Sequence, residues 1–177
     1  MHAALGVQYK RLYGGHELSY FHHGQTGANL LTEALSLWTK QDPYWAFCIL
    51  SVVSDFVFIV ATVLVINKLT NASIASCFLA AVLFQETYVS GYYPNSSVVG
   101  AAFFSLALLS AVHLENLAGA ALAGALFGLA IWTRFDAAAL GLTFLILFLK
   151  GGLTSKKRIL KLWLSFGGAA GVVTFGL

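Results

Sequence analysis

Arg134 closes an uncharged run of small and apolar residues, LAGAALAGALFGLAIWT, and Asp136 follows two positions later. A guanidinium holds paired donors in fixed geometry, so Arg134 at the end of such a run suits the grip of a phosphate. The alternative is an interfacial arginine that snorkels to water, with Asp136 capping the next helix at its N-terminus. Two apart, these residues do not share a helix face. Glu86 ends another apolar run, and Thr87, Tyr88, Tyr92, Tyr93 and Asn95 follow it. A carboxylate among aromatic rings suits a sugar. The rings stack on sugar faces, and the carboxylate binds hydroxyls or a divalent cation. The alternative is a solvated helix end with an aromatic belt. His22 and His23 are adjacent and precede Gly24. Neighbouring side chains diverge on a helix or strand, so a chelating pair is not expected, and a role as donors to a substrate stays open. Asp55 lies inside an apolar run. Carboxylates at such depth mark ion paths or proton relays. The alternative is a structural acid bonded to Ser51 or to hydroxyls of a neighbouring helix. Asn95-Ser96-Ser97 and Asn71-Ala72-Ser73 both match the glycosylation sequon.

The elements that must position these residues are membrane helices. Of 177 residues, 59% are hydrophobic and only 10% are charged, against about a quarter charged in soluble domains. A net charge of +3 from ten basic and seven acidic residues is too small for a nucleic-acid signature. Cys48 and Cys77 fall in apolar runs without metal-ligand spacing, and free thiols are expected. The first residues carry no apolar signal-peptide core, and the apolar run that closes on Leu177 lacks a polar flank. Both ends point to a piece of a larger membrane protein.

Residues 1–43 read as an extracytoplasmic segment, broken by Gly14, Gly15, Gly24 and Gly27. Within it, Leu30, Leu31, Ala34, Leu35 and Trp38 recur at helical spacing, which predicts a short interfacial helix over 29–39. Residues 44–177 read as a transmembrane domain. Its spans are expected over 44–66, 74–84, 98–114, 117–136, 136–149 and 159–177. The fold class is therefore an all-α polytopic bundle of about six spans. Gly119, Gly124 and Gly128 allow close helix approach in the fourth span. Around the short loops between spans, Lys68, Lys150, Lys156, Lys157, Arg158 and Lys161 gather on one side of this topology, and Arg134 alone lies on the other. The positive-inside rule makes the lysine side cytoplasmic. Residues 1–43, the loop at 86–97 and the turn at 134–136 then face outward or into a lumen.

The order of these features resembles a family, the GT-C membrane glycosyltransferases of the protein O-mannosyltransferase and aminoarabinose-transferase type. HAALGVQYKRLYGGHELSYFHHGQTGANLL is similar to the stretch that follows the family's acidic pair in its first outer loop. His23 falls near the family histidine, with Gly24 and Gln25 in place of prolines. SGYYPNSSVVGAAFFSLALL resembles the second outer loop, with Asn95 and Ser96 where an acid is common. LAGAALAGALFGLAIWTRFD resembles the Gly-rich helix that ends in Thr-Arg or Thr-Lys. The resemblance implies a polyprenyl-phosphate sugar donor within the lipid bilayer and an acceptor that attacks the anomeric carbon. Arg134 would hold the departing phosphate, with Glu86, His22, His23, Asn95 and Asp136 around sugar or acceptor. A divalent cation is compatible with this set. The family's catalytic acid would lie before Met1. Two other readings compete with this one. In an ion-coupled transporter or channel, Asp55 and Glu86 would lie on the ion path. In a non-catalytic assembly subunit, the glycine helix would bind a partner.

Overall fold

The computed structural model describes residues 26–88, 96–113, 116–150 and 156–176, and these are helical apart from short connections. In chain order they form α1 (Thr26–Thr39), α2 (Pro43–Thr70), α3 (Ile74–Tyr88), α4 (Ser96–His113) and α5 (Leu117–Thr133). A 3-10 helix (Phe135–Gly141), α6 (Leu142–Lys150) and α7 (Lys156–Gly176) follow.

Short polar residues set the helix ends. The Tyr44 N–H donates to Asp42 Oδ1 at 2.8 Å, and Pro43 opens α2 where its missing N–H costs nothing. Asn71 closes α2 in the left-handed region at φ 55°, a conformation asparagine tolerates. Asn67 Nδ2 donates to the Ala72 carbonyl at 2.8 Å, and Ser73 Oγ accepts from the Ser76 N–H at 3.2 Å to start α3. The Asn71-Ala72-Ser73 sequon is thus spent on a helix-to-helix turn. Asn116 caps α5 by accepting from the Gly119 N–H at 2.7 Å.

α5 lies at the centre, packed between α4 and α7. Gly124 sits against the Phe166 backbone carbonyl. A Cβ on Gly128 would come within 2.8 Å of the Ala170 carbonyl oxygen. The two pairings rise together, so α5 and α7 run parallel at close backbone approach, as the glycines predict. Between them an aromatic cluster fills the core. Phe127 stacks on Phe166 at 5.5 Å, and Phe144 meets Phe166 at 4.7 Å between ring centroids. Phe148 and Trp163 extend the cluster edge-on. A smaller core joins Val63 of α2 to Cys77 of α3. Cys48 and Cys77 are both free thiols.

Among the described residues, two stretches are long and apolar enough to cross a membrane, Pro43–Thr70 and Lys157–Gly176. Ser97–His113, Leu117–Thr133 and Ala137–Leu149 are apolar but shorter. The outward face of α2 carries Ile49, Val52, Val53, Phe56, Val60 and Leu64, and that of α7 carries Leu160, Leu164, Val172 and Phe175. Continuous apolar faces of this kind are not water-facing surface.

Two expectations change in detail. The stretch expected as one span over 136–149 is a 3-10 helix that runs into α6. Arg134 leaves α5 extended at φ −147° and ψ 112°, and the Ala137 N–H then reaches the Arg134 carbonyl at 3.0 Å, an i to i+3 bond. The first helix, expected over 29–39, begins three residues earlier at Thr26. Gly27, Ala28 and Thr32 are buried, Ala34 is exposed, and Trp38 is 82% exposed. So α1 docks through its first two turns and holds its last aromatic away from the protein.

Candidate functional site

Three helix ends meet at Arg134. The first is the end of α5 itself. The Arg134 N–H caps that helix by donating to the Ala130 carbonyl at 2.8 Å. Thr133, fully buried, turns its Oγ1 back onto the same Ala130 carbonyl at 2.8 Å, which satisfies a hydroxyl that has no other place to go. The second end is the start of α4. Arg134 Nη1 donates to Ser97 Oγ. One turn on, Gly100 leaves room for the arginine stem. A Cβ there would lie 3.2 Å from Thr133 Oγ1 and 3.6 Å from Arg134 Cβ and Cγ. The third end is the start of α1, where a Cβ on Gly27 would fall 2.5 Å from the Trp132 ring. Trp132 therefore packs closely against the backbone of α1, and a side chain at Gly27 would collide with it.

The electrostatics follow from this placement. The first turn of α4 is the positive end of a helix dipole. A guanidinium set beside it adds a full positive charge to a partial one. The half-buried side chain of Arg134 runs past Gly100, where an added Cβ would come into ordinary contact with its stem.

The other candidate residues divide into groups. Asp136 is the second residue of the 3-10 helix. Its expected place as the cap of the next helix belongs instead to Arg134, whose side chain makes no capping bond. Glu86 is in the last turn of α3. His22, His23 and Asn95 lie outside the described residues, although the described neighbours Gly27 and Ser97 both converge on the Trp132–Arg134 corner. Asp55 is half-buried in α2, one turn beyond Ser51. The bond to Ser51 suggested by their spacing is not formed, since Ser51 Oγ is buried without a hydrogen-bond partner. Among the described residues no three His, Cys, Asp or Glu side chains cluster as a metal site.

Ser97, Gly100, Gly27 and Trp132 were not legible as site residues. The usable signal was the Ser97–Gly100 spacing of three, which puts a small donor and a gap on one helix face. No protein-family model, curated protein or solved structure matches this chain.

Proposed function

We propose that this chain is part of an integral-membrane glycosyltransferase that takes a sugar from a polyprenyl-phosphate donor on the outer or lumenal face. The carrying observation is the electropositive corner at the end of α5, where Arg134 is fixed against the first turn of α4. In the proposed step an acceptor hydroxyl or amine attacks the anomeric carbon, and the bond from that carbon to the phosphate oxygen breaks. Negative charge grows on the departing lipid phosphate. A guanidinium held in place beforehand stabilises that charge without reorganising. The proton of the acceptor passes to a base that Arg134 does not supply.

The proposed topology is six crossings, by α2, α3, α4, α5, the 3-10 helix with α6, and α7, with α1 against the outer ends. Seven 3-10 residues and nine α residues span about 27 Å, close to the roughly 30 Å of a bilayer core. The 3-10 stretch makes this short segment long enough. Exposed Trp38 and Trp45, 82% and 61% accessible, fit an interfacial belt.

The test is sugar transfer per correctly inserted molecule in the full protein. Arg134→Ala should lower it by about a hundredfold, a loss of about 3 kcal/mol in transition-state stabilisation. Arg134→Lys should recover part, because charge stays while the paired geometry goes. Normal transfer in Arg134→Ala removes the residue from the site. A second reading, an ion-coupled transporter, draws on the buried, unbonded Ser51 hydroxyl one turn from Asp55.

A further inference from the structure

The last turn of α5 is held from two sides just before Arg134. From α4, Gly100 faces Thr133, where an added Cβ would lie 3.2 Å from Thr133 Oγ1. From α1, Gly27 faces Trp132. An added Cβ there would lie 2.5 Å and 2.8 Å from two atoms of the indole and 2.9 Å from the Trp132 carbonyl oxygen. Such distances leave no room for even a methyl group, so α1 meets α5 at backbone approach. Two glycines on two helices thus touch the two residues that precede the arginine. Arg134 then leaves the helix, extended at φ −147° and ψ 112°. An extended residue at a helix end takes its direction from the last turn. A tilt of that turn therefore carries into the guanidinium.

The support from α1 differs from core packing. The aromatic core is built by α4, α5, α6 and α7, and among the described residues α1 adds nothing to it. α1 rests on α2, α4 and α5 from outside, through Gly27, Ala28 and Thr32 of its first two turns. The bundle can keep its core when α1 shifts, whereas the last turn of α5 loses one of its two supports. The proposed sugar transfer asks for a cation that is already in place when charge develops. We infer that α1 is a positioning element for that reaction. The seating of Gly27 on Trp132 aligns Arg134 with the departing phosphate, and transfer runs at full rate only while α1 is seated. The inference rests on the proposed sugar transfer. Gly27 acts in it through Arg134 and touches no substrate.

The experiment is a double-mutant cycle on sugar transfer by the full protein, per correctly inserted molecule, with Gly27→Ala, Arg134→Ala and both together. Alanine is the better helix former, so a loss in Gly27→Ala does not come from unwinding α1. Its methyl group lifts α1 off Trp132. In Gly27→Ala, kcat should fall by about tenfold. KM for the donor should be nearly unchanged, because the arginine acts on charge that develops only in the transition state. In the Arg134→Ala background the same change should have no further effect. Thermal unfolding should stay near normal, since the core excludes α1. Ala34→Leu, on the exposed side of α1, should transfer normally. Nitroxide labels at Ala34→Cys and Leu122→Cys, with Cys48 and Cys77 replaced by serine, read the seating without transfer. Their distance should lengthen or spread in Gly27→Ala. A normal kcat in Gly27→Ala overturns the inference. So does a double variant whose loss is the product of the two single losses, because Gly27 would then act without Arg134. A large fall in unfolding temperature makes Gly27 a residue of the fold, and an unmoved label distance removes the seating. Either result also overturns the inference, and the site reading stands as long as Arg134→Ala loses transfer. Normal transfer in Arg134→Ala is the failure of that reading itself and takes the inference with it.

Discussion

At one end of the bundle a single arginine is fixed by its neighbours. Gly100 leaves space for its stem, Ser97 accepts from its guanidinium, and the adjacent Trp132 packs against Gly27. At the other end, Lys157 and Lys161 stand exposed beside an open groove. The difference is one of tolerance. A cation that acts on a developing charge must be held to within a fraction of an ångström, and only packing does that. Exposed cations act through summed potential, which survives loose side chains. The first arrangement breaks when a neighbour changes. The second breaks only when charge is removed.

The comparison assumes that the two ends face opposite sides of a membrane, and this is the largest effect to test. With Cys48 and Cys77 replaced by serine, Ser96→Cys and Ser155→Cys should react with an impermeant thiol reagent from opposite sides. Labelling of both from the cytoplasm would end the comparison and the site with it. Next is the spine that both ends share. Gly124→Leu forces a side chain into the Phe166 backbone, so it should cost about 3 kcal/mol or more of stability and disturb both ends. Gly168→Leu is the control. No other group lies within 4 Å of a Cβ there, and thermal unfolding in detergent should be near normal.

A smaller effect is local to the arginine end. Gly100→Val pushes on Thr133 and the Arg134 stem, so transfer should fall by about tenfold. Equal transfer by this variant would mean that the arginine needs no fixed position. The smallest expected effect is at Asp55→Asn. As a half-buried structural acid in α2, it should leave transfer within a few-fold. A loss near a thousandfold, about 4 kcal/mol of barrier, would favour the ion-path reading.

The sequence alone determined the helices. Their apolar runs, the caps at Asp42 and Asn116 and the small residues of α5 are local signals, because capping and hydrophobic periodicity act within a few residues. It also marked Arg134 as unusual, since a charge that ends a long apolar run is visible in one dimension. It did not reveal that the span expected over 136–149 would open as a 3-10 helix, nor that Asp136 would sit inside it while Arg134 took the cap. Those outcomes depend on how α5 leaves the bundle. It was silent on Ser97, Gly100 and Gly27 as partners of the Trp132–Arg134 corner, because residues so far apart in the chain meet only when helices pack. The same holds for the lysines of α7. Composition placed them on one side of the molecule, but only the parallel pairing of α7 with α5, through Gly124 and Gly128, turned them toward a common groove.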